Sequence, residues 1–159
     1  MRFAVITISD RCAQGLLTDT AGPRVVDLLR NSWKEAEISA CLLPDGEDAI
    51  AASLEKLCGE GAALVLTVGG TGLSPRDRTP EATRRVIDRE APGLAEAMRS
   101  IGARSNPYAW LSRGVAGMRG ATLIVNLPGS LRGAEESLVS IVPLLKHALE
   151  IAAGGQAHP

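Results

Sequence analysis

Thr67-Val68-Gly69-Gly70-Thr71-Gly72-Leu73-Ser74-Pro75-Arg76-Asp77-Arg78-Thr79-Pro80 directly follows the apolar run Ala62-Ala63-Leu64-Val65-Leu66. The order reads as a buried strand, a glycine loop and a helix start. Glycine lets a backbone approach a ligand closely and adopt conformations closed to other residues. Successive N–H groups in such a turn can form an anion-binding concavity. Asp77 would repel a phosphate held there unless a cation sat between them. The loop therefore reads as a site for a phosphorylated ligand plus a divalent metal.

Outward from the loop, four β-like runs cover residues 2–8, 37–43, 62–68 and 121–126. The last two are nearly continuous apolar runs, as in strands covered on both faces. Amphipathic helical patterns lie between them. Val25, Val26, Leu29 and Trp33 share one face, and Ile50, Leu54, Leu57 and Cys58 another, with Gly59 as a stop. Thr79-Pro80-Glu81 offers an N-cap hydroxyl, a proline at the first helical position and an early acid. After a break at Pro92-Gly93, Leu94, Ala97, Met98 and Ile101 form a third stripe. From about residue 134, Leu138, Ile141, Val142, Leu145, Leu149 and Ala152 recur at helical spacing. Pro143 predicts a kink there or two abutting helices. Residues 1–153 read as one domain and 154–159 as a flexible tail.

Strands alternating with helices predict an α/β fold, a mostly parallel sheet with helices on both faces. Ligands in such folds bind beyond the carboxyl ends of the strands. Those ends carry Ser9-Asp10-Arg11, Pro44-Asp45-Gly46, the glycine loop with Asp77, and Asn126-Leu127-Pro128-Gly129-Ser130. Asp45 and Asp77 suit magnesium, which takes one or two carboxylates along with phosphate oxygens and waters; ordinary turn chemistry is the competing reading. Asn126, Pro128, Gly129 and Ser130 read either as close contact with a nucleobase or phosphate, or as a βα connection with a capping serine. Arg113, after Ser112, reads as an anion clamp or as an exposed arginine. Tyr108 and Trp110 read as core or subunit contact, joined by Trp33 as a contact residue. Cys12 reads as an inert thiol, and His147 as non-catalytic.

Composition narrows the function classes. The chain has 159 residues, 45% hydrophobic and 22% charged, with a net charge of −1. That balance gives no electrostatic case for nucleic acid or an anionic membrane, although Arg76, Arg78, Arg84, Arg85 and Arg89 cluster in and after the glycine loop. No stretch is long enough to span a bilayer, and the apolar start is too brief for a signal sequence. Three dispersed cysteines without a CxxC point to free thiols in a reducing compartment. The expected location is the cytoplasm.

Thr67 to Gly72 with Arg76-Asp77-Arg78-Thr79-Pro80-Glu81-Ala82-Thr83 resembles the signature of the molybdopterin adenylyltransferase family (MoaB/Mog type) of molybdenum-cofactor biosynthesis. The resemblance includes Ser9-Asp10-Arg11, Asp19-Thr20-Ala21-Gly22, Leu43-Pro44-Asp45, Leu111-Ser112-Arg113, Ala116-Gly117-Met118-Arg119-Gly120 and Asn126 to Ser130, in the same order. Ala21 stands where the family often has serine. The resemblance implies a three-layer α/β/α fold with a mixed sheet, the molybdenum-cofactor-biosynthesis-protein fold, assembled as a homotrimer or hexamer. It implies magnesium-dependent transfer of AMP from ATP to the terminal phosphate of molybdopterin, upstream of a molybdotransferase. Asp45 and Asp77 match the catalytic, metal-binding aspartates. Gly69, Gly70, Thr71 and Gly72 match the substrate loops, as do Asn126, Pro128, Gly129 and Ser130. Ser9, Asp10 and Ser112 fall near the pterin or phosphate. A member of the superfamily that binds pterin or scaffolds partners without catalysis is the alternative. A different nucleotide-dependent transferase on the same fold is a weaker one.

Overall fold

All four apolar runs become strands. The computed structural model describes residues 1–155, so the tail expected over 154–159 lies mostly outside the described residues. The chain runs β1 (Arg2–Ile8), α1 (Asp10–Ala13), α2 (Ala21–Ser32), β2 (Glu37–Leu43), α3 (Glu47–Gly59), β3 (Leu64–Val68), α4 (Thr79–Val86), β4 (Arg89–Glu90) and α5 (Pro92–Gly102). A 3-10 turn (Pro107–Leu111), β5 (Ala116–Arg119), β6 (Thr122–Leu127) and α6 (Leu131–Ala152) complete it. The strands form one sheet in the order β2-β1-β3-β6-β5-β4. The first four are mutually parallel. β5 and β4 add antiparallel, giving the mixed, mostly parallel sheet expected.

Strand alternation sorts the core into two layers. Phe3 and Val5 of β1, Leu64, Leu66 and Val68 of β3, and Leu123, Val125 and Leu127 of β6 pack with α2, α5 and α6. The residues between them, Ala4, Ile6 and Ile8, Val65, and Ile124, pack with Ile50 and Leu54 of α3 and Ala82 and Val86 of α4. Helices therefore cover both faces, the three-layer α/β/α arrangement. Among the described residues no helix is long and apolar enough to cross a membrane.

Several local expectations need correction. β4 and β5 were not foreseen, because Arg89-Glu90 is exposed and Ala116-Gly117-Met118-Arg119 carries no apolar run. Pro143 does not divide the last helix; α6 is continuous from Leu131 to Ala152. Pro143 and Val139 both face solvent, so water can satisfy the carbonyl that the missing N–H would have reached. Thr79 does not cap α4. Arg78 holds the cap position, and the Thr79 hydroxyl is used elsewhere. Ile101 turns outward, and Ala95 takes its share of the buried α5 face beside Leu94 and Met98. Trp33 is partly buried against the core. It packs edge-on against Phe3 at 5.4 Å, with the Lys146 ammonium 5.6 Å from its ring centroid. Tyr108 and Trp110 are exposed and so are not core.

The sheet order reverses direction at β1. The chain passes from β1 to β2 on one side, then returns to β3 on the other. Such a switch point opens a crevice beyond the strand ends. Ser9-Asp10 and Gly69-Gly70 leave β1 and β3 at that point.

Candidate active site

Two cavities flank the loops beyond the strand ends. One, of about 400 Å³, is lined by Ser9, Asp10, Asp45, Gly69, Gly70 and Asp77, among others. The second, of about 480 Å³, is lined by Thr71, Gly72, Ser112, Asn126, Pro128 and residues of α5, the 3-10 turn and the start of α6. Ser130 borders both. The glycine loop is the wall between them, with Gly69 and Gly70 on one side and Thr71 and Gly72 on the other.

The carboxylates are held by backbone. The Asp10 N–H donates to Asp45 Oδ2 at 3.1 Å, and the Asp45 N–H returns a bond to Asp10 Oδ1 at 2.9 Å. This exchange ties the loop after β1 to the loop after β2. Asp77 Oδ2 accepts from the Ser74 N–H at 3.0 Å. Asp45 Oδ1 and Asp77 Oδ1 accept no hydrogen bond among the described residues. Burial pushes the Asp45 carboxyl above its ordinary range. Its hydrogen bond from the Asp10 backbone opposes that shift; the charges of Asp10 and Asp77 add to it, and Arg76 draws it down. The two aspartates singled out in the sequence thus share one electrostatic site.

Gly69 and Gly70 have φ of 109° and 65°, in the region that favours glycine. A Cβ at Gly69 would lie 2.3 Å from the Ile8 carbonyl oxygen. One at Gly70 would lie 2.3 Å from Thr79 Oγ1 and 3.3 Å from Asp45 Oδ1. One at Gly129 would lie 3.1 Å from the Gly69 Cα. These glycines let three loops and a carboxylate crowd together.

A buried polar chain fixes the loop from below. Asn126 and Thr67 are register partners on β6 and β3. Asn126 Nδ2 donates to Thr67 Oγ1 and to Thr83 Oγ1, both at 2.9 Å, and its Oδ1 accepts from the Val115 N–H at 3.1 Å. The Thr83 hydroxyl donates to the Thr79 carbonyl, and the Thr79 hydroxyl to the Gly69 carbonyl, each at 2.9 Å. Asn126 is 1% exposed; its polar atoms are spent on the frame.

Arg113 is also spent on the frame. Its Nε donates to the Gly72 carbonyl at 2.7 Å, and one Nη donates to the Asp77 carbonyl at 2.6 Å. The other Nη pairs with Glu81, and that guanidinium holds the Glu81 carboxyl below the usual range. The backbone N–H of Arg113 donates to the Thr71 carbonyl at 2.8 Å. The side chain read as an anion clamp or a free arginine is instead a brace for the loop that carries Asp77. Ser9 and Ser130 cap α1 and α6, accepting from the Cys12 and Gly133 N–H groups. Ser112 Oγ accepts from the Gly114 N–H at 3.3 Å and borders the larger cavity.

The sequence assigns no site role to Thr67 and Thr83, reads Thr79 and Glu81 only as a helix entry, and Arg76 only as one of a cluster of arginines. The threonine spacing 79/83, one helical turn, was a signal for a shared face. The three cysteines are free thiols.

Among the described residues no group of three or more His, Cys, Asp or Glu could hold a metal by itself. The available donors are instead two carboxylate oxygens on Asp45 and Asp77. That set fits magnesium, which draws its other ligands from phosphate and water.

An open α/β fold with a carboxylate-lined cavity and a second cavity at its switch point has the arrangement in which such folds bind ligands. The family model described as "Probable molybdopterin binding domain" matches residues 4–147, and the chain belongs to that family. It is 40% identical over 150 residues to the molybdenum cofactor synthesis protein cinnamon of Drosophila melanogaster, covering 94% of this chain but only 25% of that protein. It is 35% identical to a molybdopterin adenylyltransferase of Helicobacter pylori, covering 97% of this chain and 89% of the other. A solved structure of the molybdopterin biosynthesis enzyme MoaB from Thermus thermophilus is 48% identical, with a TM-score of 0.90 and 99% of both chains covered.

Proposed function

We propose that the protein is a molybdopterin adenylyltransferase of molybdenum-cofactor biosynthesis. It transfers AMP from ATP to the terminal phosphate of molybdopterin and releases pyrophosphate. The observation that carries this reading is the pair of cavities meeting at Ser130, one of them presenting Asp45 and Asp77 together. One cavity serves each substrate, and the carboxylate cavity holds the polyphosphate. Relatives named for the same activity support the assignment.

The terminal phosphate oxygen of the pterin attacks the α-phosphorus of ATP, and the bond to the pyrophosphate oxygen breaks. A phosphate monoester has a second pKa of about 6 and is largely dianionic at neutral pH. The attacking group therefore needs no strong base, and no histidine lines the site among the described residues. The difficulty is bringing anions together in register. Asp45 and Asp77 would hold magnesium, which would supply positive charge against the phosphates. Asp10 and the Ser74 N–H fix the two carboxylates, while Arg113 and the Asn126 chain fix the loop. Ser9, Asp10 and Ser112 border the substrates, and Gly69 to Gly72 and Pro128 to Ser130 form the walls. Exposed Tyr108 and Trp110 are the surface proposed for self-association as a trimer or hexamer, and the protein would work in the cytoplasm ahead of a molybdotransferase.

The test is pyrophosphate release with ATP, magnesium and molybdopterin. Asp77→Asn is expected to retain pterin binding and lose most turnover, on the order of a hundredfold or more. Turnover by D77N near that of the wild type would remove the role given to Asp77. Pterin binding by the wild type without pyrophosphate release would favour the non-catalytic alternative.

A further inference from the structure

We propose that Arg76 is the phosphate-binding cation of the carboxylate cavity, and that its ion pair with Asp10 is a resting position it leaves when the nucleotide enters. The proposal rests on the adenylyl-transfer reading.

Charge balance raises the question. The charged residues lining this cavity are Asp10, Asp19, Asp45 and Asp77 against Arg11 and Arg76. A triphosphate entering a net negative cavity needs a cation from the protein as well as any metal. The clustered arginines around the glycine loop look able to supply several, but their side chains are committed. Arg78 pairs with Glu47 at 2.9 Å, Arg84 with Glu90 at 3.3 Å, and Arg85 with Asp48 at 2.7 Å. Arg89 donates to the Gly120 carbonyl at 3.0 Å. Arg113 is committed to its brace.

Arg76 differs from these. It lies next to Asp77 on the loop, and among the described residues its guanidinium pairs only with Asp10 Oδ2, at 3.4 Å, with the arginine side chain 77% exposed. Long, exposed ion pairs are weak and readily exchanged. Arg76 is also the cation whose charge reaches Asp45. Arg11 lines the same cavity from α1. A guanidinium is suited to bidentate phosphate contact. Asp10 keeps its other oxygen on the Asp45 N–H, so Arg76 can leave without releasing Asp45. The weak pair thus parks a cation at the mouth while the cavity is empty.

The test is MgATP binding to the full chain by calorimetry, with folding checked by circular dichroism. R76A is expected to weaken binding at least tenfold and R76K about threefold. R11A, which removes the same charge from the same cavity, is expected to weaken it less than threefold. D10N retains an acceptor for the Asp45 N–H but loses the resting charge, and is expected to tighten binding about threefold. In an R76A background that gain should shrink. R76A binding within twofold of the wild type would overturn the proposal, as would equal losses in R11A and R76A. Weaker binding by D10N would also overturn it, by placing Asp10 on the ligand's side. Failure of the wild type to bind MgATP would instead remove the adenylyl-transfer reading, and this inference with it.

Discussion

Asn126→Ala separates a framing role from a ligand contact. In the folded protein the side chain makes three hydrogen bonds, to Thr67, Thr83 and the Val115 N–H. Each contributes about 1 kcal/mol net. The two hydroxyls can turn to other partners, but the Val115 N–H is fixed in a buried backbone, and stranding such a donor costs about 1–3 kcal/mol. The expected loss is about 3–4 kcal/mol, at the severe end for a single substitution. With a urea slope of about 2 kcal/mol/M, the unfolding midpoint should fall by about 1.5–2 M. Asn126→Asp sharpens the test. Its first oxygen can still accept from Val115, but the second faces two hydroxyls, and the Thr83 hydroxyl already donates to the Thr79 carbonyl. Burial would raise the pKa of the new carboxyl above its unfolded value near 3.9. N126D should therefore be least destabilised below that value and lose stability as pH rises through the raised folded pKa. A midpoint shift under about 0.5 M for N126A, together with a large rise in KM, would refute the frame and restore a ligand contact.

Two more substitutions probe the carboxylates through stability. Asp45 has a raised folded pKa, so its ionised form works against folding at neutral pH. D45N is expected to be more stable than the wild type in EDTA at pH 7, with the gain vanishing as pH falls below the ordinary carboxyl range; urea midpoints at both ends of that range check it. Glu81 is the opposite case, lowered chiefly by Arg113. E81Q should cost about 1–2 kcal/mol at neutral pH, and the difference should fade as pH drops through the lowered folded pKa; thermal unfolding at pH 7 and pH 3 reads it.

The fold was legible where burial was complete. β3 and β6 are covered on both faces, and their apolar runs mark them without help from long-range contacts. β2 was also found, although most of it is exposed, because its run of Ile38, Ala40, Cys41, Leu42 and Leu43 remains strand-like. β4 and β5 lack that signal for the converse reason: β5 is set by its pairing along β6, and β4 by the bonds from Asp88 and Ala91 to the Met118 and Ala116 carbonyls, and not by their own side chains. Pro143 does not split α6, because at its solvent-facing position water can replace the missing donor.

At the site, the position of Asp45 beside Asp77 followed from strand ends alone, since parallel strands deliver their carboxyl ends to one rim. The uses of Asn126 and Arg113 did not follow. Both are polar residues at that rim, and sequence cannot say whether such a side chain points toward a ligand or back into the loop. The deciding facts are tertiary. Asn126 alternates onto the α4 face of β6, where Thr83 meets it, and Arg113 meets three acceptors from the loop opposite.

That division of labour bears on how an acidic site can accept an anion. The groups that would hold a metal must stay fixed, since magnesium tolerates little deviation in its ligand geometry. Asp45 and Asp77 are fixed from several directions, through Asp10, Ser74, Arg113 and the threonine chain beneath Gly69. The cation that meets the phosphate faces the contrary demand. It must neutralise nearby carboxylates before the ligand arrives and release them afterward, which a rigidly braced arginine cannot do. Arg113 and Arg76 meet these demands separately: one is braced by three acceptors behind Asp77, the other hangs from a single exposed pair in front of it. Exchanging their positions would leave a movable metal site facing an immovable counter-ion, an arrangement unsuited to repeated binding and release of a polyphosphate.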